Sequence, residues 1–149
     1  MRRYGEAIVS GQRYPPRPGA YAILPRDGRI LLTHQDEPNP EFQLPGGGID
    51  PGESPLRALH REVLEETGWR IARPRRLGVF KRFAYMPEYD LWAEKICTIF
   101  VAHPVRQLHA PTEPGHEAIW ADTRLAVSLL ANVGDQVFLA DFLSGALPR

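Results

Sequence analysis

Three glutamates on one predicted helix are the residues of this 149-residue chain best suited to chemistry. Stepping about 100° per residue along residues 55–67 puts Glu62, Glu65 and Glu66 on one arc, beside the apolar stripe that must be buried. Carboxylates this close repel one another, so we expect a positive group between them. Clustered hard oxygen ligands suit Mg²⁺, with Mn²⁺ as the second choice. Taken alone, the cluster is explained more simply as a solvated helix face.

A bound divalent ion would offset the charge of a diphosphate and lower the pKa of an attacking water. Nearby residues could complete such a site. Glu53 adds a carboxylate just before the helix, and Arg61 could orient one carboxylate through a bidentate contact. The run Gly46-Gly47-Gly48 permits close backbone approach, so a carbonyl there could supply a further ligand.

The helix that carries these residues has clear end signals. Ser54 offers an N-cap oxygen, and Pro55 suits the first helical position because its missing N–H would have had no partner there. Gly68 can supply a left-handed C-cap, so we predict a helix from Pro55 to Thr67. The density of proline and glycine between residues 35 and 51 predicts a loop before it.

Short apolar runs on both sides of this helix predict strands. Asp27-Gly28 separates two of them and is a strong hairpin signal. Pro15 to Gly19 predicts an irregular lead-in, with the core starting near Ala20. After Asp122, apolar residues near helical spacing predict one or two closing helices. The predicted strands are residues 20–24, 29–33, 77–83, 92–103 and 118–121. Strands on both sides of one central helix predict a mixed α/β layer fold.

Length and composition restrict the class of protein. A chain of 149 residues fits a single domain, residues 1–149. Eighteen basic and eighteen acidic side chains cancel, so the overall field attracts neither nucleic acid nor an anionic membrane. No apolar run approaches the roughly 20 residues of a transmembrane helix, and no secretory signal is readable, so we expect a cytoplasmic protein. The single cysteine, Cys97, cannot form an internal disulfide.

The charged and glycine positions together resemble a known motif. Gly47, five residues, Glu53, seven residues, and then the run from Arg61 to Trp69 are similar to the complete Nudix box. Every polar position of that motif is filled. Trp69 departs from the aliphatic residue that is more usual there, and it remains apolar. The box covers residues 47–69.

The resemblance implies a Nudix-type α/β/α sandwich with a mixed sheet and a loop-helix-loop catalytic motif. It implies a metal-dependent pyrophosphohydrolase acting on acid anhydrides, in which water attacks the phosphorus of a nucleoside diphosphate linked to another moiety. The implied metal ligands are Gly47, through its carbonyl, together with Glu53, Glu62, Glu65 and Glu66.

The resemblance also implies catalytic roles. Arg61 resembles the orienting arginine, and Glu62 is a candidate base as well as a ligand. Some family members use a carboxylate on a later loop as the base. Glu117, with Glu113 second, is the candidate here, and a plain surface role explains it equally well.

Substrate selection in this family depends on residues outside the box. Arg17 and Arg82 could contact phosphates and Tyr85 could stack on a base, although core packing and solvation explain them equally well. The expected substrate is a nucleoside triphosphate, a dinucleoside polyphosphate or a nucleotide sugar. An RNA 5′ pyrophosphohydrolase is the alternative; the net charge of zero argues against it, and a basic patch beside the site would revive it. The second alternative function is a non-catalytic nucleotide-binding module.

A homodimer is a reasonable expectation for this fold.

Overall fold

Two β-sheets form the centre of the computed structural model, which describes residues 1–147. The first has five strands in the order β1-β7-β8-β2-β6. Its members are β1 (Arg2–Gly5), β2 (Pro16–Ile23), β6 (Gly46–Gly48), β7 (Trp69–Met86) and β8 (Leu91–Gln107). The pairs β1–β7 and β2–β8 are parallel and the other pairs are antiparallel, so the sheet is mixed.

The second sheet is built around one strand that pairs with three others. Its members are β3 (Pro25–Arg26), β4 (Arg29–Gln35), β5 (Glu41–Gln43) and β9 (His116–Asp122). Three α-helices complete the architecture: α1 (Pro55–Thr67), α2 (Thr123–Leu129) and α3 (Val133–Ser144). None of the helices in the described chain has the length and apolar character needed to span a membrane.

The helices lie on opposite sides of the strands. On one side, Leu59 and Val63 of α1 pack into a buried cluster with Ala22 and Leu31. On the other side, α3 contributes Phe138 and neighbouring residues to a larger cluster that contains Ile23, Phe80 and Ile99. This arrangement of helices around a mixed sheet confirms the predicted α/β class.

The prediction for α1 is confirmed at both ends, because its capping residues act locally. The Ser54 hydroxyl oxygen accepts a hydrogen bond from the Arg57 N–H at 3.2 Å. Gly68 adopts φ 77°, and its N–H donates to the Leu64 carbonyl at 2.8 Å. The two closing helices α2 and α3 are also confirmed.

The prediction for the segment before Ala20 was wrong. Strand β2 begins at Pro16, because proline can still join a sheet through its carbonyl oxygen. The carbonyl oxygens of Pro15 and Pro18 accept hydrogen bonds from the N–H groups of Glu94 and Ile49, each at 3.0 Å.

The predicted loop of residues 35–51 was also partly wrong. It contains the short strands β5 and β6, and the glycine strand β6 pairs with β2. Strands β7 and β8 are longer than predicted, and β7 accommodates Pro74 through irregular pairing and a positive φ of 53° at Arg73.

Asp135 of α3 fixes the chain just before the glycine strand. Its carboxylate is buried and accepts a hydrogen bond from the Leu44 N–H at 3.4 Å. Burial raises the pKa of Asp135 to about 6, although the Leu44 N–H partly opposes this effect. The ionised form is therefore less favourable in the folded protein than in the unfolded chain.

We expect Gly68→Ala to destabilise the fold much more than Gly52→Ala. Both glycines have positive φ, 77° and 79°, so both substitutions carry backbone strain of about 1–2 kcal/mol. Only at Gly68 would a Cβ overlap the backbone carbonyl oxygen of His109, whereas nothing lies within 4 Å of a Cβ at Gly52. The free energy of unfolding in urea should fall by a further 2 to 3 kcal/mol or so for Gly68→Ala. Equal losses for the two variants would contradict this reading of the α1 C-terminus.

We expect Asp135 to make the folded state less stable as pH rises. Because its folded pKa lies above the unfolded value, its stabilising contribution is complete in acid and is lost as pH rises through about 6. Between pH 4 and pH 8, the free energy of unfolding of wild type should fall relative to Asp135→Asn by about 2 kcal/mol. Asp141→Asn, on the same helix, is the control. A wild-type to Asp135→Asn difference that is constant with pH would disprove the effect.

Candidate active site

The guanidinium of Arg61 lies at the centre of the glutamate cluster. Its Nε and Nη2 donate to the two oxygens of Glu53, both at 2.8 Å, which is a bidentate pair. Its Nη1 donates to Glu62 Oε1 at 2.9 Å and to Glu65 Oε2 at 3.4 Å. Nη2 also donates to the Gly48 carbonyl at 3.1 Å. The positive group expected between the carboxylates is therefore, in this structure, an arginine of the same helix.

Glu53 is held in its ionised form by this contact. The hydrogen bonds from Arg61, followed by the N–H of Asp50, lower the pKa of Glu53 to about 2. Glu53 is thus the carboxylate that Arg61 stabilises most, and the charge of Arg57 adds to this effect. The positive charge of Arg61 therefore offsets the charges of the other glutamates only in part.

Glu66 is the most buried carboxylate of the cluster. Its side chain is about 8% exposed, and Oε1 accepts a hydrogen bond from the Gly46 N–H at 3.0 Å. Burial raises the pKa of Glu66 well above its usual value, and the charges of Glu62, Glu113 and Glu65 add to this effect. The Nδ1 atom of His116 lies 3.7 Å from Glu66 Oε2, but burial lowers the pKa of that histidine. His116 is therefore a poor source of compensating positive charge.

Glu62 lies directly against the glycine strand. A Cβ at Gly47 would overlap the Glu62 carboxylate, so only glycine allows this approach. Burial raises the pKa of Glu62, while the hydrogen bond and charge of Arg61 oppose the increase. Oε1 of Glu62 binds Arg61, which leaves Oε2 with no hydrogen bond to the described chain.

The segment before β9 closes one side of the cluster. The Glu65 carbonyl accepts hydrogen bonds from the N–H groups of Thr112 and Glu113, at 2.8 and 2.9 Å. Glu113 is therefore beside the cluster, and its charge helps to raise the pKa values of Glu62 and Glu66. Glu117 is exposed and pairs with His34 in β4, so it points to the opposite face of β9 from its neighbour His116.

The donor set of the cluster fits a divalent cation. The cluster holds four glutamates, Glu53, Glu62, Glu65 and Glu66, and Arg61 binds only the first three, which leaves an excess of negative charge. That excess contributes to the raised pKa values of Glu62 and Glu66, and a hard cation would relieve it. Within residues 1–147, no three His, Cys, Asp or Glu side chains are already arranged to hold a metal ion. Arg61 accounts for this, because it holds Glu53, Glu62 and Glu65 itself.

An open cleft of about 1130 Å³ adjoins the cluster. Gly47, Glu53 and Glu66 line one part of it, as do all three residues predicted to bind substrate. Those three are Arg17, Arg82 and Tyr85. The Tyr85 ring packs against Trp92 with centroids 5.3 Å apart, and its hydroxyl donates to Asp90. The cleft thus brings the predicted binding residues to the same space as part of the glutamate cluster.

Among the polar residues of the cleft that sequence reasoning missed are Lys95 and Tyr21. Each lies in a mainly apolar run that predicts a strand, and only the strand pairing shows which face it occupies. Lys95 sits between Glu94 and Ile96, so period-two alternation was the one indication available in the sequence.

Comparison with known proteins identifies a family. Residues 13–142 match the family model described as NUDIX domain. The chain is 38% identical over 74 residues to a Bacillus subtilis (strain 168) protein named "Putative 8-oxo-dGTP diphosphatase", with 50% of each chain covered. It is 42% identical over 57 residues to an RNA pyrophosphohydrolase of Helicobacter pylori (strain G27), covering 35% of this chain and 37% of that relative. The chain therefore spans half or less of the length of these curated relatives.

A solved structure has the same fold. The structure titled NUDIX hydrolase from Nitrosomonas europaea superposes with a TM-score of 0.72 at 21% identity. The superposition covers 87% of this chain and 90% of that one.

We expect Arg61→Lys to destabilise the protein although it keeps the charge. An ammonium group cannot reproduce the planar fork that binds both oxygens of Glu53 and reaches Glu62 as well. The free energy of unfolding, measured by urea titration without added metal, should fall by about 1–2 kcal/mol. Arg57→Lys, one turn earlier on the exposed side of α1, should change it by less than about 0.5 kcal/mol. Similar effects at both positions would show that the fork contributes nothing beyond its charge.

Proposed function

Because this chain belongs to the Nudix family, we propose that it is a metal-dependent hydrolase that cleaves the diphosphate linkage of a nucleoside diphosphate joined to another moiety. Homologues named diphosphatase and pyrophosphohydrolase support this class of reaction. The observation that carries the proposal is the cluster of four glutamates, three of them bound by Arg61, next to an open cleft.

We propose Mg²⁺ as the cofactor, with Mn²⁺ as the second choice. Nudix hydrolases generally use divalent metals. Glu62, Glu65 and Glu66 are the proposed ligands, supported by Glu53 and the Gly47 carbonyl. When bound, the ion would neutralise phosphate charge and acidify a water.

The side chains in and beside the cluster have separate proposed roles in positioning and proton transfer. Arg61 keeps the carboxylates in place through its contacts with Glu53, Glu62 and Glu65. Glu62 is the first candidate for the base, because its Oε2 has no hydrogen bond to the described chain and could accept a proton. Glu113 is a better second candidate than Glu117, since Glu113 lies beside the cluster and Glu117 points to the other face of β9.

The proposed substrates are small nucleotides: a nucleoside triphosphate, a dinucleoside polyphosphate or a nucleotide sugar. Cleavage at the 5′ end of RNA is the second candidate. The basic residues of the cleft, Arg17, Arg82 and Lys95, favour it, because a basic patch beside the site is what RNA would require. A non-catalytic nucleotide-binding module is less well supported, since no carboxylate of the motif is missing.

Our proposal also includes a single domain over residues 1–149, a homodimer, a cytoplasmic location and no membrane partner.

The test is phosphate or pyrophosphate release from a nucleotide panel with Mg²⁺ or Mn²⁺. Glu65→Gln and Glu66→Gln should each lower kcat/KM by more than about 100-fold, because residues that merely support metal ligands already cost 10–100-fold. The control is Asp141→Asn, far from the cluster, which should keep wild-type turnover. Binding of one nucleotide without turnover of any compound would leave only the binding module.

A further inference from the structure

Three basic side chains form one row across the five-stranded sheet. The strand pairing places Arg17 of β2 next to Lys95 of β8, and Lys95 next to Arg82 of β7. Residues paired in register point to the same face of a sheet, and neighbouring strands lie about 4.8 Å apart. We call Arg17, Lys95 and Arg82 the basic row. All three line the cleft described above.

The basic row lacks the carboxylate partners that surface cations commonly have. Within residues 1–147, none of its three members forms an ion pair, whereas Lys81, on the opposite face of β7, lies 3.5 Å from Glu94 Oε1. The row's one close aromatic contact is Arg17 over the ring of Tyr89, at 5.6 Å from the ring centroid. Burial lowers the pKa of Lys95 and the adjacent charge of Arg82 adds to this effect, while the charges of Glu88 and Asp135 oppose it in part. Holding Lys95 charged here has a cost that an anionic ligand would offset.

The basic row extends away from the glutamate cluster, starting with Arg17 on β2, which is paired with the glycine strand. The glycine strand β6, which contacts Glu62 and Glu66, is the neighbour of β2 and lies two strands from β8 and three from β7. Strand spacing makes these distances about 10 and about 14 Å. That gap is on the scale of one nucleoside. An extended ligand can therefore reach from the glutamate cluster to the basic row, beside which Glu88 also lines the cleft.

We propose that the basic row binds a second phosphate group, carried by the nucleoside of the substrate away from the scissile diphosphate. This inference rests on the proposed function and narrows its substrate class. The preferred substrate is then a diphosphate whose ribose bears a further phosphate ester. A nucleoside triphosphate or a nucleotide sugar without that ester leaves the basic row unneutralised. A 2′- or 3′-phosphate of a small nucleotide and the first 3′-phosphodiester of an RNA 5′ end offer the same chemistry.

Three pairs of compounds test the proposal: two differ only by a phosphate monoester, and the third differs by a 3′-phosphodiester together with the guanosine attached to it. The pairs are CoA with 3′-dephospho-CoA, NADPH with NADH, and the 5′-triphosphorylated dinucleotide pppApG with ATP. In at least one pair, kcat/KM should be about tenfold or more higher for the compound that bears the extra phosphate, which corresponds to about 1.4 kcal/mol. A preference confined to pppApG identifies the RNA end as the source, and one confined to CoA or NADPH identifies a small nucleotide. Ratios near one in all three pairs overturn the proposal.

Substitutions test whether the basic row causes the higher kcat/KM for the compound that bears the extra phosphate. Lys95→Met and Arg82→Met should each reduce the ratio towards one, mainly through KM. Lys81→Met is the matched control, because it removes a cation from the neighbouring position on the opposite face and should leave the ratio unchanged. Lys95→Met should also raise the Tm of the free protein, since it removes a charge whose ionised form is disfavoured by burial. If Lys95→Met fails to fold, Arg82→Gln, at the paired position on β7, repeats the measurement. If the kcat/KM ratio is unchanged by substitution of Lys95 and by substitution of Arg82, the basic row does not bind the extra phosphate.

Binding of products separates failure of this inference from failure of the proposed function. Calorimetry should show that adenosine 3′,5′-bisphosphate or adenosine 2′,5′-bisphosphate binds about tenfold more tightly than AMP, and that Lys95→Met removes the difference. If no compound is hydrolysed but this difference is found, the hydrolase proposal fails and the basic row stands. If compounds are hydrolysed without any preference in turnover or binding, the hydrolase proposal stands and the basic row fails.

Discussion

Mutual repulsion among carboxylates is the constraint that the site must satisfy, and the contacts of Arg61 show how it is met. A single planar guanidinium binds both oxygens of Glu53 and also reaches Glu62 and Glu65. Its fork geometry allows one cation to hold three carboxylates, which a lysine could not do. Glu66 is outside its reach and relies on a backbone N–H of the glycine strand instead. The result is a cluster that is ordered yet retains an excess of negative charge.

The cleft therefore joins two regions of opposite uncompensated charge. At one end, burial disfavours the ionised forms of Glu62 and Glu66; at the other, it disfavours the charged form of Lys95. Either region alone lowers stability, and natural proteins keep such groups where function requires them. A ligand that carries a cation to one end and phosphate to the other would relieve both. Charge complementarity, more than apolar burial, is thus the chemistry that this cleft offers a substrate.

Local sequence signals predicted the helix of the site but not the strands around it. Ser54, Pro55 and Gly68 act on the backbone next to them, so the bounds of α1 followed from the sequence. The glycine strand β6 could not be predicted in this way, because glycine has low strand propensity and its pairing with β2 is a tertiary contact. Similarly, the sequence ranked Glu117 ahead of Glu113 as the later base, and spacing alone could not show which of the two lies beside α1. Only the fold shows that the Glu113 N–H binds the Glu65 carbonyl.

Lys95 shows that strand register was the information missing from the sequence for predicting which side chains line the cleft. Its position in the cleft depends on the pairing of β8 with both neighbours, and Cys97 and Ile99, which point to the same face, fix that pairing by packing in the core. A shift of one residue would move that apolar set to the opposite face of the sheet and bring Glu94 into the cleft in place of Lys95. The hydrophobic effect that orders the sheet therefore also sets the sign of charge at this end of the cleft. Substrate preference and core packing are coupled through one strand.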